Sequence, residues 1–266
     1  MAYYIHQNRR LYYLDHGSGP AVLLLHGVCN SGRAWLPQLE ALSSAGYRVI
    51  APDFAGHGAS ARLSAPLGVP RLAADCVALL DHLQLAQAHI VGLSLGGMAA
   101  QQLALDAPAR VRSLTVACSF PSTASDEAKQ MLAAWTQTLR EPDGPLKRLE
   151  QSWPRNLNAA FRASPAGQTL YWQWHAQVAQ AHGESQAWVC EGLADYHLAG
   201  RLAAIAAPAL YLAGECDEVS PPALGQWMAA QVPGARFETL PGAAHVANVD
   251  SADIFNAALL AFLRQH

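Results

Sequence analysis

Short apolar runs recur along the chain and alternate with segments of helical periodicity. The runs fall at residues 21–27, 47–53, 89–94, 111–119 and 209–217, and a further strand is predicted at 235–240. Strands that helices cover on both faces are typically continuous apolar runs of this kind. The segments between the runs predict helices at 34–45, 70–84, 95–107, 221–231 and 251–264. This alternation predicts an α/β fold with a mostly parallel, doubly wound sheet.

Two parts of the chain depart from the alternation. The opening YYIHQNRRLYYLDHG predicts a β-hairpin with its turn near Gln7 and Asn8. Residues 120–196 are mostly helical in pattern and contain no convincing strand. We therefore expect residues 1–119 and 197–266 to form the core, and residues 120–196 to form a helical cap over the carboxyl edge of the sheet.

Composition and charge exclude several classes of protein. The chain has 266 residues, of which 52% are apolar and 14% charged, which argues against disorder. Its net charge is −3 and it contains no run of lysine and arginine, so a nucleic-acid partner is not expected. No apolar run approaches the ~18 residues that span a bilayer, and no signal peptide is visible at the N-terminus. A membrane partner is therefore not expected either.

The cysteines indicate a reducing environment. There are five of them, widely spaced and without a C-x-x-C pair: Cys29, Cys76, Cys118, Cys190 and Cys216. An odd number at such spacing argues against zinc, redox and disulfide frameworks. The expected state is reduced thiols in a cytosol-like, cytoplasmic compartment.

A G-x-S-x-G pattern follows one of the predicted strands. It is formed by residues 92–96, after HIVGL and before LGGMAAQQLALDA. This motif occurs where a sharp turn from strand to helix exposes a nucleophilic serine, and its glycines avoid collisions in the turn. A glycine-rich packing turn is the alternative. The flanking strand and helix favour Ser94 as the nucleophile.

A serine nucleophile needs a base and an acid that orients the base. In proteins with this motif, both follow the serine in chain order. Asp217 lies just past the predicted strand ALYLAGECD and is the candidate acid, with Glu215 and Glu218 as competitors. His245 follows the strand ARFETL and the loop PGAA, and it is the candidate base.

Acyl transfer also requires donors for the developing oxyanion. One expected donor is the backbone N–H of Leu95, the residue after the nucleophile. The other is the N–H of Val28 in the loop after the strand AVLLL, with the N–H of Cys29 as an alternative. His26 is expected to orient this loop, and residues 53–60 are expected to form a structural turn that supports it.

Five motifs in order resemble those of the α/β-hydrolase fold superfamily over essentially the whole chain. They are HGVCNSGRAW, DFAGHGAS, GLSLGGMAAQ, GECD and PGAAHVANVD. Residues 92–117 and 234–263 are most similar to 3-oxoadipate enol-lactonases and small carboxylesterases. The resemblance excludes haloalkane dehalogenases and epoxide hydrolases, which need an aspartate where this chain has Ser94.

These residues predict a serine hydrolase that cleaves small carboxylic esters or lactones with water through an acyl-enzyme. No cofactor or metal is expected. Three alternatives remain open. The HGVCNSGRAW segment has the outline of a perhydrolase loop, with Cys29 where proline is usual. An acyltransferase would keep the same three residues, and a non-catalytic ligand-binding receptor would use the fold without the chemistry.

Candidate substrate-binding residues come from the oxyanion loop and the cap. They are Trp35, Arg33, Cys29, Trp135, Trp153 and Trp172. Residues 120–196 hold five of the seven tryptophans, and some of these are expected only to pack the cap. Tryptophans favour an apolar or aromatic substrate. An anionic substrate would use Arg33, which could equally be a surface residue at the start of a helix.

Overall fold

The computed structural model describes residues 2–266, and its core is an eight-stranded sheet. The strands are β1 (Ala2–His6), β2 (Arg9–His16), β3 (Ala21–Leu25), β4 (Arg48–Pro52), β5 (Ala88–Leu93), β6 (Val111–Ala117), β7 (Ala209–Gly214) and β8 (Arg236–Leu240). Their order is β1-β2-β4-β3-β5-β6-β7-β8. β1 and β2 are antiparallel, and β3 to β8 run parallel. The predicted α/β class and mostly parallel sheet are confirmed.

Helices cover both faces of the sheet. They are α1 (Leu36–Ser44), α2 (Val69–His82), α3 (Leu95–Asp106), α4 (Asp126–Arg140), α5 (Gly144–Asn156), α6 (Ala159–Ala163), α7 (Pro165–Val178), α8 (Gly183–Gly192), α9 (Pro222–Gln231), α10 (Ala247–Asp250) and α11 (Ala252–Leu263). Alternate side chains of β3 reach opposite faces, as the period of two in a strand requires. Leu23 and Leu25 pack in the core with α2, α3 and α9, whereas Val22 and Leu24 pack with α1 and α11. This two-sided burial explains the continuous apolar runs.

The N-terminal hairpin turns at the predicted residues. Gln7 and Asn8 have φ angles of 49° and 60°. A two-residue turn with both residues in the left-handed region matches the twist of antiparallel strands. The hairpin prediction is therefore confirmed, and it places β1 and β2 at the sheet edge farthest from β8.

Five helices, α4 to α8, lie between β6 and β7. The chain enters and leaves this segment at one point, because Ser122 pairs with His197 and Thr123 N–H donates to Tyr196 O at 2.9 Å. A small apolar cluster joins these helices to the loops of the sheet. Its members are Ala34, Leu149, Leu157, Trp174, Val178, Val246 and Val249. The helices therefore pack against the loops that follow β3 and β8. Within residues 2–266, no helix combines the length and apolar character needed to cross a bilayer.

Candidate active site

Ser94 stands at the sharp turn between β5 and α3. Its backbone has φ 55° and ψ −115°, a conformation that costs a non-glycine residue on the order of 1–3 kcal/mol. Two hydrogen bonds from β6 and its following loop hold it there. Ser94 N–H donates to Ala117 O at 3.0 Å, and Ser119 Oγ donates to Ser94 O at 2.7 Å. The turn therefore projects Ser94 from the carboxyl end of the central strand.

The glycines of the motif are required by close backbone approach. A Cβ atom on Gly92 would lie 2.1 Å from Gly96 O, and one on Gly96 would lie 1.9 Å from Leu25 O. Both distances are far inside van der Waals contact and involve backbone atoms, which cannot move aside. Glycine at these positions lets α3 begin directly against the end of β5 and the neighbouring β3.

Asp217 and His245 form a buried hydrogen-bonded pair. His245 Nδ1 lies 2.9 Å from Asp217 Oδ2. The other carboxylate oxygen, Oδ1, accepts the N–H groups of Val219 and Ser220, each at 2.8 Å. The carboxylate therefore has a partner for each oxygen, and a proton on Nδ1 leaves Nε2 of the imidazole free to accept one.

The two competing carboxylates contact other groups. Glu215 Oε2 accepts the N–H of Gly242 at 2.9 Å, and Glu218 Oε2 lies 4.0 Å from Arg155 Nε. Neither makes a hydrogen bond to His245 in the part of the chain that the structure describes. The geometry therefore favours Asp217 as the residue that orients the imidazole.

Ser94 and His245 line one cavity between the sheet and helices α4, α5 and α7. Their side chains make no direct hydrogen bond among the described residues. Bonds of this kind are often long in free enzymes and shorten when substrate binds. The Ser94 hydroxyl and the His245 imidazole therefore line the same cavity, but they are not hydrogen-bonded to each other.

The loop after β3 is held by two buried histidines. His26 Nδ1–H donates to Gly27 O at 2.7 Å, and its Nε2 accepts the N–H of Phe54 at 3.0 Å. His57 Nε2 accepts the N–H of Cys29 at 3.0 Å. The expected roles of His26 and of the loop 53–60 in positioning this segment are confirmed. Because the Cys29 amide is already bonded, it is not free to serve as the alternative oxyanion donor.

Two amides remain available at the candidate oxyanion site. Val28 N–H donates to no other group within residues 2–266. Leu95 is the first residue of α3, where a backbone N–H has no acceptor inside the helix. Val28 also lines the cavity beside Ser94. These are the two donors that the sequence predicts.

Burial keeps both loop histidines neutral. It lowers the pKa of His26 from 6.5 to about 4. It lowers the pKa of His57 to about 3, and the neighbouring His26 contributes to that shift. A neutral ring can offer an unprotonated Nε2 as acceptor. The two hydrogen bonds to backbone amides therefore require the unprotonated state of both rings.

We expect the free energy of unfolding to fall as the pH drops from about 6.5 toward 4. The unfolded chain gains protons on these histidines below 6.5, whereas the folded pKa values are about 4 and about 3. Each histidine then reduces stability by about 1.4 kcal/mol per pH unit across that window. Urea unfolding at several pH values measures the slope. His57→Gln should give a shallower slope, and the exposed-site variant His16→Gln should match wild type. Equal slopes for wild type and His57→Gln would contradict the assignment.

The cavity is lined by most of the predicted substrate-binding residues. Cys29, Trp35, Trp135 and Trp153 all contribute to its wall. Trp35 is buried against Phe255, so it contributes as part of the core.

Two predicted substrate-binding residues do not reach the cavity. Arg33 is exposed, because its short 3₁₀ helix turns Ala34 and Trp35 inward instead. Trp172 is 65% exposed and packs edge-to-face on Tyr171 and at a tilt on His175. Two residues later on α7 the helix has turned by about 200°, so that Trp174 faces the cavity. These positions correct the expectation for Arg33 and Trp172.

Several cavity residues had no distinguishing signal in the sequence. Arg148, Gln177 and Asn248 line the wall together with Trp174. Of the three basic residues on α5, Arg148 and Arg155 line the cavity and Lys147 does not, and only Arg148 is buried. A helical periodicity count over α5 could have indicated its inward face.

The loop that carries His245 is joined to the helices between β6 and β7. Asp250 Oδ2 accepts the N–H of Ala244 at 2.9 Å and the N–H of Asn158 at 2.8 Å. In addition, Val246 N–H donates to the carbonyl oxygen of Asn156 at 2.8 Å. The position of the imidazole is therefore coupled to the ends of α5 and α6.

All five cysteines are free thiols. Burial raises the pKa of Cys29, which lines the same cavity as Ser94, to about 11. Among residues 2–266, no three histidine, cysteine, aspartate or glutamate side chains are grouped so as to hold a metal ion.

Comparisons with known proteins show similarity over nearly the whole chain. A family model described as the alpha/beta hydrolase fold matches residues 20–252. A protein of Variovorax paradoxus (strain S110) that carries the name of a carbamate hydrolase, RutD, is 36% identical over 257 residues, covering 95% of this chain and 96% of that protein. The crystal structure of an enol-lactonase from Burkholderia xenovorans LB400 superposes with a TM-score of 0.92 at 26% identity, covering 99% of this chain and 100% of that one. A thermophilic esterase from Thermogutta terrifontis gives a TM-score of 0.89 at 28% identity, covering 97% and 94% of the two chains.

Proposed function

The chain belongs to the α/β-hydrolase family, and on that premise we propose that it is a serine hydrolase that cleaves carboxylic esters or lactones through an acyl-enzyme. The observation that carries the proposal is the 2.9 Å hydrogen bond between His245 Nδ1 and Asp217 Oδ2, beside the cavity that Ser94 lines. A serine at a strained turn, an oriented imidazole and two free amides together support acyl transfer.

In the proposed mechanism, Ser94 Oγ attacks the substrate carbonyl carbon while His245 Nε2 takes the hydroxyl proton. The amides of Val28 and Leu95 stabilise the negative charge on the carbonyl oxygen. Collapse of the intermediate breaks the bond to the alkoxide, which receives the proton from His245. A water molecule then attacks the acyl-enzyme, again with His245 as the base, and releases the acid. Asp217 holds the Nδ1–H tautomer and stabilises the imidazolium.

We also propose that the helices between residues 120 and 196 act as a cap that limits substrate size. Trp135, Trp153 and Trp174 supply apolar surface to the cavity wall. The relatives are named for an enol-lactone, an ester and a carbamate. Esters and lactones remain our choice for this chain, because the apolar wall can accept an acyl chain.

A serine-directed fluorophosphonate probe tests the proposed function. We expect it to label the folded wild-type protein and not Ser94→Ala, because only an activated serine attacks phosphorus at a useful rate. A panel of 4-nitrophenyl esters and lactones should show turnover in parallel. Absence of labelling in folded wild-type protein would favour a non-catalytic receptor.

Product analysis separates the remaining alternatives. Added alcohol or amine should leave the acid as the main product of a hydrolase, whereas an acyltransferase would form the new ester or amide. Added hydrogen peroxide would give a peracid if the protein were a perhydrolase. Either outcome would replace water as the proposed acceptor.

A further inference from the structure

One arginine in the cavity wall has no anionic partner. Arg148 lies on α5 and is only 8% exposed. Its Nη1 donates to Gln151 Oε1 at 3.3 Å, and its Nε is buried without a hydrogen-bond acceptor. In the part of the chain that the structure describes, no carboxylate lies within 4.0 Å of this guanidinium.

The burial of this group is costly unless a ligand compensates for it. A guanidinium remains charged in proteins, so it cannot escape desolvation by losing a proton. Arg148 Cζ lies 4.5 Å from the ring centroid of Trp135, which provides a cation–π contact. That contact leaves the Nε–H without an acceptor, so part of the binding capacity of the guanidinium is unused.

Three half-buried arginines, Arg9, Arg48 and Arg110, are paired with carboxylates, and Arg162 donates to the carbonyl oxygen of Leu157. Arg9 donates to both oxygens of Asp75, at 2.8 and 3.0 Å. Arg48 makes the same two-pronged contact with Asp15. Arg148 is more buried than Arg48 and differs from both in facing the cavity that contains Ser94. A ligand in the cavity is therefore the simplest source of an anionic partner for Arg148.

The charge of Arg148 reaches the oxyanion loop. Its guanidinium lowers the pKa of the Cys29 thiol, against the larger upward effect of burial. Cys29 follows Val28, one of the two candidate oxyanion donors. The positive charge, the oxyanion loop and Ser94 therefore border the same cavity.

We propose that Arg148 binds a carboxylate of the substrate, so that the preferred substrates are esters or lactones that carry a second, ionised carboxyl group. The inference rests on the proposed function and specifies its substrate class. The free Nε–H and the Nη groups match the two oxygens of a carboxylate. The tryptophans contact the apolar part of the substrate, and Arg148 holds its charged end.

Matched pairs of esters test this inference. The neutral substrates are 4-nitrophenyl hexanoate and octanoate, and the anionic ones are the 4-nitrophenyl monoesters of adipate and suberate. The partners in each pair differ only in a terminal methyl or carboxylate. In wild type we expect kcat/KM to favour the anionic partner. Arg148→Met should lower kcat/KM for the anionic esters by roughly 10- to 100-fold, the range for a lost hydrogen bond to a charged group, and change the neutral esters by less than about 3-fold.

Two control variants separate this role from charge and folding. Lys147→Met removes a positive charge from the same helix at a side chain paired with Glu141, outside the cavity, and should leave the ratio unchanged. Arg148→Lys keeps the charge without the planar fork and should lose part of the preference. Thermal unfolding of each variant establishes that it is folded. If Arg148→Met leaves the anionic-to-neutral ratio unchanged, or lowers both classes equally, the inference is overturned.

A binding measurement keeps the inference distinct from the proposed function. Adipate should bind Ser94→Ala protein in calorimetry, and the additional Arg148→Met substitution should weaken that binding at least 10-fold. If no ester is turned over and the probe does not label Ser94, the proposed function fails, and adipate binding alone decides the role of Arg148. If esters are cleaved but the Arg148→Met substitution does not change adipate binding, only the proposed substrate class is wrong.

Discussion

Ser94→Ala is expected to reduce kcat for a 4-nitrophenyl ester by about 10⁵- to 10⁶-fold, the loss typical when a nucleophile is removed from such a relay. The substitution deletes a single oxygen atom. The hydrogen bonds that hold the turn involve the backbone N–H and C=O of Ser94, which alanine retains. The free energy of unfolding should therefore change little, and the loss should appear in the chemical step.

Ser44→Ala provides a matched control, because Ser44 is exposed on α1. It should keep wild-type kcat and KM. Both variants are compared by steady-state kinetics and by urea unfolding. If folded Ser94→Ala retained more than a hundredth of the wild-type rate, another group would be the nucleophile, and the proposed mechanism would be wrong.

Asp217→Asn is expected to lower kcat by up to about 10⁴-fold. The asparagine amide would donate toward His245 Nδ1, which drives the imidazole proton to Nε2. The base is then blocked at the nitrogen that must accept the proton from Ser94. Oδ1 can still accept the N–H groups of Val219 and Ser220, so the loop should keep its conformation.

Glu215→Gln is the matched control for this acid. Glu215 lies two residues away and bonds the N–H of Gly242 instead of the imidazole. We expect near wild-type kcat for this variant. The reverse result, a nearly inactive Glu215→Gln beside an active Asp217→Asn, would overturn the assignment of the acid. Steady-state kinetics at a pH where wild type is fully active decides between them.

Local patterns predicted the framework of the molecule well. The apolar runs became buried strands, because parallel strands beneath helices bury both faces and leave no alternation. The turn at Gln7 and Asn8 and the turn at Ser94 were predictable because their conformations depend on a few neighbouring residues. Asp217 and His245 were predictable from their positions just after strands, since the carboxyl ends of parallel strands meet at one edge.

The walls of the cavity could not be predicted in the same way. Arg33 and Trp172, which were expected at the cavity, face solvent, whereas Arg148 and Trp174, which no sequence pattern indicated, face the cavity. The choice depends on how α5 and α7 rotate about their axes when they pack on the loops after β3 and β8. The types of residue in a helix do not indicate that rotation. The helical periodicity would indicate it if the face that packs on the core were known.

The bonds that join the His245 loop to residues 156 and 158 affect how this scaffold can be engineered. Libraries that randomise α5 and α6 to alter substrate preference would also disturb the backbone groups that position His245, the proposed general base. Mutations near these hydrogen bonds would then lower the catalytic rate and change the substrate preference together. A screen based on activity would wrongly attribute the loss to weaker substrate binding. Directed evolution should therefore begin on the inward face of α4, which is outside the apolar cluster that packs on the His245 loop.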